Sequence, residues 1–488
     1  MKHAFFSALP AALAACLLTA CAVNPVTGKR QVSLVSENQE LAMGQQADPA
    51  VIAEFGLYPD KKIQRFISDK GQAMAAVSHR ANLPFQFKVV DSPVINAFAL
   101  PGYVYFTRGI LAHFNNEAQF AGVLGHEIGH VTARHTAQQQ SKQLLGQVAL
   151  IGGMIASPTL ARYGEQAMQG MGLLFLKFGR DDERQADELG VEYSSAIKYD
   201  ASQMADFFQT LQREQQVKGG QAIPDFMSSH PNPGERYETV HQLADKYKTE
   251  HPTTKLAVNR DQYLRLIDGL TYGEDPRQGF VEGGIFYHPD LKFQFPVPTG
   301  WASQNSPQQF QMAPKDGKAM MMFTLAPGTD LAAAAKAFTT QFKLQVTDSR
   351  QLTINGFPAL AVQADQAGAT DPQTGQAAPA QVRTLSTFIQ DGKTVYAFLG
   401  ATSVTDFATY APIFAGAPQG FQRLTDREKL ARQPEKISIR TVKQSTTLAD
   451  FLRANGVAAK RLEEHAILNG MQLTDRIGNG LLVKVAAR

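Results

Sequence analysis

His126-Glu127-Ile128-Gly129-His130 decides how the first half of this chain is read. On a helix, residues four apart lie one turn apart, so both imidazoles reach one cation from the same face, with Glu127 beside them and within reach of a water on that cation. Five residues of this kind also arise by chance, so the surroundings must decide. The same face carries Gly122, Gly125, Gly129 and Ala133, small residues that let a neighbouring segment come close to the imidazoles. A plain amphipathic helix with solvated histidines would not set charge-capable groups among glycines.

Zinc needs a third protein ligand if a fourth position is to stay open for water. A His at position 136 would extend the motif, but Thr136 stands there. His135, five residues beyond His130 and about 140° round the helix, is expected to point elsewhere. A second helical stripe offers more: Glu183, Ala186, Asp187 and Gly190 fall at i, i+3, i+4 and i+7. Glu183 can ligate the metal, and Asp187 can accept a hydrogen bond from the far nitrogen of a ligating His and fix its tautomer. The competing reading makes Asp181, Asp182, Glu183 and Glu188 a solvated charge cluster at a helix start. The HExxH tips the balance towards Glu183.

Composition supports an all-His/carboxylate site. The only cysteines are Cys16 and Cys21, both near the N-terminus, so neither a disulfide framework nor a Cys-ligated zinc ribbon fits the body of the chain. With 488 residues, 44% apolar and 19% charged, the chain is neither disordered nor collagen-like nor a coiled coil. Its 47 basic and 44 acidic residues form no dense Lys/Arg cluster, which argues against nucleic acid as a partner.

Residues 1–20 read as a secretory signal peptide, with one Lys near the start and an apolar stretch running into small residues. Leu18-Thr19-Ala20-Cys21 resembles a bacterial lipobox, in which Cys21 takes the lipid and becomes the mature N-terminus. Ala22 and Val23 behind it, with no Asp at the second position, suit sorting to the inner face of the outer membrane. Acyl chains gain about 0.8 kcal/mol per buried CH₂, so an acylated Cys21 anchors the protein to a membrane without a spanning helix. The uncharged stretch 143–161 is too polar and Gly-rich for such a helix and reads as a buried or lid-forming helical pair, with a membrane-dipping element as the alternative.

Residues 21–36 form a polar tether, and 37–250 read as mostly helical with a β-like stretch at 86–106. A bridging helix and linker occupy 251–280. Residues 281–425 alternate strand-like runs with turns, namely Leu291–Pro296, Met320–Leu325, Ala359–Val362, Val382–Ile389 and Thr394–Leu399, and carry helices at Asp330–Phe342 and Thr405–Phe414. That makes an α+β module of unknown role, in which Gln366–Ala380 is a mobile hairpin loop and His288 with Asp290 lacks a further ligand. Residues 436–488 give a compact β-α-α-β pattern.

The motifs up to residue 250 resemble the M48 zinc metallopeptidases, in particular their bacterial periplasmic lipoprotein branch. The resemblance rests on Asn24-Pro25-Val26-Thr27-Gly28, on Asn96-Ala97-Phe98-Ala99-Leu100-Pro101-Gly102 leading into Val104–Gly109, and on His126–His130 with Arg134-His135. Glu183…Ala186-Asp187…Gly190 and Ser229-His230-Pro231 with Arg236 complete it. A single Gly102 where a Gly pair is usual, and Gly179 where a Ser commonly precedes Arg180, depart from the pattern without touching a metal ligand.

The resemblance implies a multidomain protein: a mainly α-helical zincin of gluzincin type with a small β-sheet, followed by the α+β module and the small tail. It implies one Zn²⁺ held by His126, His130 and Glu183, with Glu127 as general base and Asp187 supporting a ligand. His230 and Arg236 become candidates for stabilising the transition state, and His230 alternatively for a latch on the open zinc position. Asn96, Ala97, Phe98 and Ala99 begin a stretch, Asn96–Phe106, that reads as an edge strand onto which an extended peptide can add. The expected activity is cleavage of misfolded or unassembled envelope proteins; the alternative is a non-proteolytic envelope assembly factor or peptidoglycan-binding adaptor with a latched zinc site. The tail resembles a diverged LysM domain in which Gln444-Ser445 replaces the usual Gly-Asp, leaving glycan and protein contacts both open. Phe295–Trp301 is faintly similar to modules of the PsbP/Mog1 type.

Overall fold

Glu117–Thr132, the helix that contains the HExxH, is buried at every one of its positions, and the first half of the chain is built around it. The computed structural model describes residues 21–141, 178–217, 226, 230, 233–366 and 381–487. The expected signal peptide, the helical pair at 143–161 and the hairpin loop beyond Gln366 lie outside the described residues. The chain divides into two compact units, one of residues 1–52, 56–274 and 435–488, the other of residues 53–55 and 275–434.

In the first unit, β1 (Cys21–Val23) pairs antiparallel with β2 (Arg30–Val32). Helix α1 (Glu37–Phe55) opens on a capping box: the Ser36 hydroxyl accepts from the Gln39 amide, and the Gln39 side chain accepts from the Ser36 amide. Helix α2 (Lys61–Ala75), capped by Asp60, buries Ile63, Ile67, Gly71 and Met74 along one stripe. Three strands follow, β3 (Gln86–Val90), β4 (Ala97–Leu100) and β5 (Tyr103–Thr107), with β5 central, parallel to β3 and antiparallel to β4. The single strand expected over Asn96–Phe106 is therefore a hairpin. Pro101-Gly102 turns it, Gly102 taking a φ of 80° that only glycine adopts without strain, and of its two strands only β4 lies at a sheet edge, β3 forming the other edge.

Helices α3 (Arg108–His113), α4 (Glu117–Thr132), α5 (Arg180–Ala196), α6 (Ser202–Val217) and α7 (Pro233–Glu250) complete this part. The backbones of α4 and α5 nearly touch. A Cβ on Gly125 would lie 2.9 Å from the Gly190 carbonyl oxygen, and one on Gly190 would lie 3.2 Å from the His126 amide nitrogen. Glycine at both positions is what permits that approach. Helix α8 (Arg260–Leu266) and β6 (Thr271–Tyr272) lead out of the unit.

The second unit is β-rich. Strands β7 (Phe280–Glu282), β8 (Ile285–His288) and β9 (Phe293–Pro296) form a small sheet with a later strand, Gln422–Arg423. A seven-stranded antiparallel sheet runs β10 (Ala302–Asn305), β11 (Gln309–Ala313), β12 (Ala319–Leu325), β16 (Thr394–Ser403), β15 (Val382–Asp391), β14 (Phe357–Gln366), β13 (Leu344–Ile354). Helices α9 (Leu331–Gln341), capped by Asp330, and α10 (Phe407–Gln419) accompany it. A cluster including Phe286, Phe293, Phe295, Phe323, Phe398 and Phe421 forms its main core.

The chain then returns to the first unit. The strand Glu435–Thr441 pairs with both Leu482–Ala487 and β6, and helices Leu448–Ala454 and Leu462–Leu468 lie between the two tail strands in sequence. Among the described residues, no helix is long and apolar enough to cross a membrane.

Candidate metal centre

Helix α4 supplies His126 and His130, α5 supplies Glu183 and Asp187, and α7 supplies Arg236; His230 stands just before α7. One nitrogen or oxygen from each of His126, His130, Glu183 and His230 lies within 4.8 Å of all the others, and all four residues are buried. His126 Nε2 is 3.0 Å from His130 Nε2 and 3.2 Å from His230 Nδ1. Glu183 approaches His230 Nδ1 at 2.9 Å, His130 Nε2 at 3.5 Å and His126 Nε2 at 3.6 Å. A tetrahedron with arms of about 2.0–2.1 Å, as for zinc with nitrogen and oxygen ligands, has edges of about 3.3–3.4 Å. The donor set fits such an ion.

Hydrogen bonds point the free nitrogens the same way. His126 Nδ1 lies 2.9 Å from Asp187 Oδ1, and a proton held there leaves the Nε2 lone pair facing the cluster. Arg236 donates to Asp187 through Nε at 2.8 Å and through Nη2 at 2.6 Å, while its Nη1 lies 3.2 Å from Glu183. One guanidinium therefore faces both Glu183 and Asp187. Its plane also packs over the Phe208 ring, 4.1 Å from the centroid.

Burial and this cation set the charges. Burial alone would raise the Asp187 carboxyl, but Arg236 and His126 outweigh it and bring it down to about 2. Burial likewise works to raise Glu183, and His230 with Arg236 pulls it below the usual carboxylate range. Desolvation lowers His126 to about 4 and holds His130 well below the ordinary imidazole value, so both are neutral, as metal ligands must be. Glu127 is the exception among the carboxylates: burial lifts it to about 7, with His230 opposing. Neither of its oxygens has a hydrogen-bond partner among the described residues, although His230 Nε2 stands 3.6 Å from one of them.

The structure thus brings His126, Glu127, His130, Glu183, Asp187, His230 and Arg236 into one cluster. Asn96, Ala97, Phe98 and Ala99 lie at and on β4, the edge of the small sheet, which packs on α4; Phe98 stacks on Tyr105 with centroids 4.9 Å apart. Cys21 begins β1. Ser229 and Pro231 lie outside the described residues.

One expectation fails. His135 does not point away: its Nδ1 is 2.9 Å from His130 Nδ1. The helix ends at Thr132, and Arg134 takes a left-handed φ of 61°, so the 140° projection along a continuing helix no longer applies. Two aromatic residues also escaped the sequence reading. Phe178 stacks on the His130 ring at 4.1 Å between centroids, and Phe226 lies 4.6 Å from the His230 ring. Neither sits at a spacing that periodicity could have marked.

Two imidazoles one turn apart, a carboxylate from a second helix and His230 form a buried cluster that could hold a metal ion, with the Glu of the HExxH beside them. Residues 61–244 match the family model described as Peptidase family M48. The chain is 29% identical over 268 residues to a protein named beta-barrel assembly-enhancing protease from Yersinia pestis, a match covering 53% of this chain and 54% of that one. It is 32% identical over 187 residues to mitochondrial metalloendopeptidase OMA1 from Arabidopsis thaliana, covering 38% of this chain and 36% of that protein. The chain thus spans about half the length, or less, of these curated relatives. A solution structure of cyanobacterial PsbP from Synechocystis sp. PCC 6803 is 10% identical with a TM-score of 0.23, covering 30% of this chain and 98% of that one.

Proposed function

We propose that the chain is a zinc-dependent endopeptidase of the bacterial envelope, anchored by a lipid on Cys21, that cleaves extended segments of misfolded or unassembled envelope proteins. The observation that carries this reading is the buried Glu127 carboxylate, without a hydrogen bond among the described residues, beside a four-donor set that fits one zinc ion. A zinc ion held there supplies Lewis acidity and makes water acidic near neutral pH. Glu127 takes a proton from the attacking water and hands it to the leaving amine. Arg236 keeps Glu183 and Asp187 charged and in place. The edge of β4, next to α4, offers backbone groups to an extended peptide, so backbone pairing supplies affinity and an unfolded substrate is the natural class. His230, whose Nδ1 lies in the donor set, would serve as a further holder of the ion and so as a latch.

The names of the relatives, an assembly-enhancing protease and a metalloendopeptidase, support the same class of substrate and reaction. The placement we assign is periplasmic, on the inner face of the outer membrane. Residues 281–425 serve as a binding or scaffold module, and the LysM-like tail contacts protein or peptidoglycan.

Glu127→Gln tests the reading. The variant is expected to keep one zinc per chain by metal analysis and to lose cleavage of an unfolded substrate such as casein by 100-fold or more, on the order expected for general base catalysis. Casein cleavage at the wild-type rate would sink the proposal. Complementation of an envelope defect by the inactive variant would move the biological work to a non-proteolytic assembly role.

A further inference from the structure

We infer that His135 is a positioning residue for His130, forming with Gln185 a neutral hydrogen-bond relay that fixes the tautomer and orientation of the second imidazole of the metal centre. The inference rests on the reading of His126, His130 and Glu183 as zinc ligands. Three observations lead to it. His130 Nε2 faces the donor set, 3.0 Å from His126 Nε2, so its lone pair is free for a metal only if the ring proton sits on Nδ1. His130 Nδ1 lies 2.9 Å from His135 Nδ1, and two facing ring nitrogens can bond only if one donates and the other accepts. His130 donating makes His135 Nδ1 the acceptor and puts the His135 proton on Nε2. That nitrogen lies 3.0 Å from Gln185 Oε1, which can only accept. Each link therefore demands the same direction of donation.

The arrangement differs from that of the first imidazole, whose Nδ1 meets the carboxylate of Asp187 backed by Arg236. His126 meets a carboxylate through Nδ1; His130 meets a second imidazole, whose far nitrogen lies 3.0 Å from Gln185 Oε1 and 3.9 Å from Asp182 Oδ1. The fold holds His135 in place rather than leaving it on a loose helix end. Ala133 and Arg134 make the reversal, and the Arg134 side chain donates from Nε to Glu40 at 2.8 Å and from Nη2 to the Val35 carbonyl at 2.8 Å. His135 is 1% exposed. Phe178 closes the other face of the pair, 4.1 Å from His130 and 6.0 Å from His135 between centroids.

Zinc affinity of the full chain, measured by competition with a chromophoric chelator, tests the relay. His135→Ala is expected to weaken zinc binding by about 10–100-fold, the usual cost of removing a ligand's outer partner. His135→Asn places an amide oxygen near the lost Nδ1, can accept from His130, and should recover most of that affinity. Gln185→Leu should weaken binding less than His135→Ala. Denaturant unfolding of the metal-free variants separates this from a packing defect: the affinity order must persist where the metal-free stabilities match. Wild-type affinity in His135→Ala, or equal losses in the Ala and Asn variants, would overturn the inference. Failure of the wild-type chain to bind zinc would instead bring down the ligand reading beneath it.

Discussion

Arg236 pairs with both Glu183 and Asp187, and its removal shows what it holds. In Arg236→Leu, Asp187 and Glu183 stay buried without their guanidinium, an arrangement that costs about 3–5 kcal/mol when one partner of a buried pair is lost. The sign of the pH dependence follows from Asp187. Its folded pKa of about 2 lies below the unfolded value of about 3.9, so its stabilising contribution is present above pH 4 or so and is lost as pH falls towards 2. Without Arg236, burial dominates and raises the carboxyl, so the variant is relieved by protonation. The stability deficit of metal-free Arg236→Leu should be largest near neutrality and shrink on acidification; denaturant unfolding between pH 7 and pH 4 checks it, and a deficit independent of pH contradicts the assignment. His126 and His130 were readable from their one-turn spacing, and Glu183 with Asp187 from their stripe once the HExxH weighed against a solvated cluster. Arg236 and His230 carry no local pattern and entered only through family resemblance. His135 was misread because its position depends on a left-handed turn at Arg134, a non-glycine residue that no turn rule marks.

The end of the HExxH helix is braced by the segment that precedes α1. Asn24 Oδ1 accepts from the amides of Val26 and Thr27, closing an Asx-type turn, and its Nδ2 donates to the Ala133 carbonyl. Ser141 accepts from the Leu34 amide. Glu40 of α1, 1% exposed, pairs with Arg80 and with Arg134, and Arg80 also donates to the Val131 carbonyl. Glu40→Ala would leave two nearly buried guanidiniums without this carboxylate and should destabilise the protein by about 3–5 kcal/mol in urea unfolding. A loss below about 1 kcal/mol, the worth of a surface pair, would show that water replaces Glu40 there. Polarity hid this brace: Asn24 and Ser36 fell in the tether and Glu40 in a mostly helical stretch, because sequence gives no sign of which polar side chains find buried partners. The same limit explains β13. Its residues Leu344–Ile354 are mostly exposed on the edge of the seven-stranded sheet, so they lack the alternation that revealed β14, β15 and β16. Helices Leu331–Gln341 and Phe407–Gln419, by contrast, lie close to the runs read from their sequences.

The tail returns to the peptidase unit rather than standing as a separate bead, and Lys484 shows how closely it is joined. Its strand carries Lys484 into the interior, 0% exposed, where Nζ donates to the carbonyls of Ala112 and Phe114 at 2.8 and 2.9 Å. These carbonyls close α3, just before the helix that carries the HExxH, and Arg213 of α6 reaches across to the Met471 carbonyl and Glu463. Desolvation, with Arg260 nearby, drives the Lys484 pKa well below its ordinary value. A neutral amine keeps two N–H donors, matching the two carbonyls. In the unfolded chain the same lysine holds its proton to about pH 10.4, so between the folded and unfolded values the unfolded state binds one proton more. Stability from this group therefore rises with pH across that window, by up to about 1.4 kcal/mol per pH unit, and levels off above it. Lys484→Met removes the titration while keeping an apolar stem. The difference in unfolding free energy, wild type minus variant, should climb between pH 7 and pH 10 in denaturant titrations, independent of the other groups that titrate in both proteins. A difference that stays level would mean that the lysine remains charged where it lies, and the tail would then be held to the peptidase by an ammonium ion rather than by a dry, neutral contact.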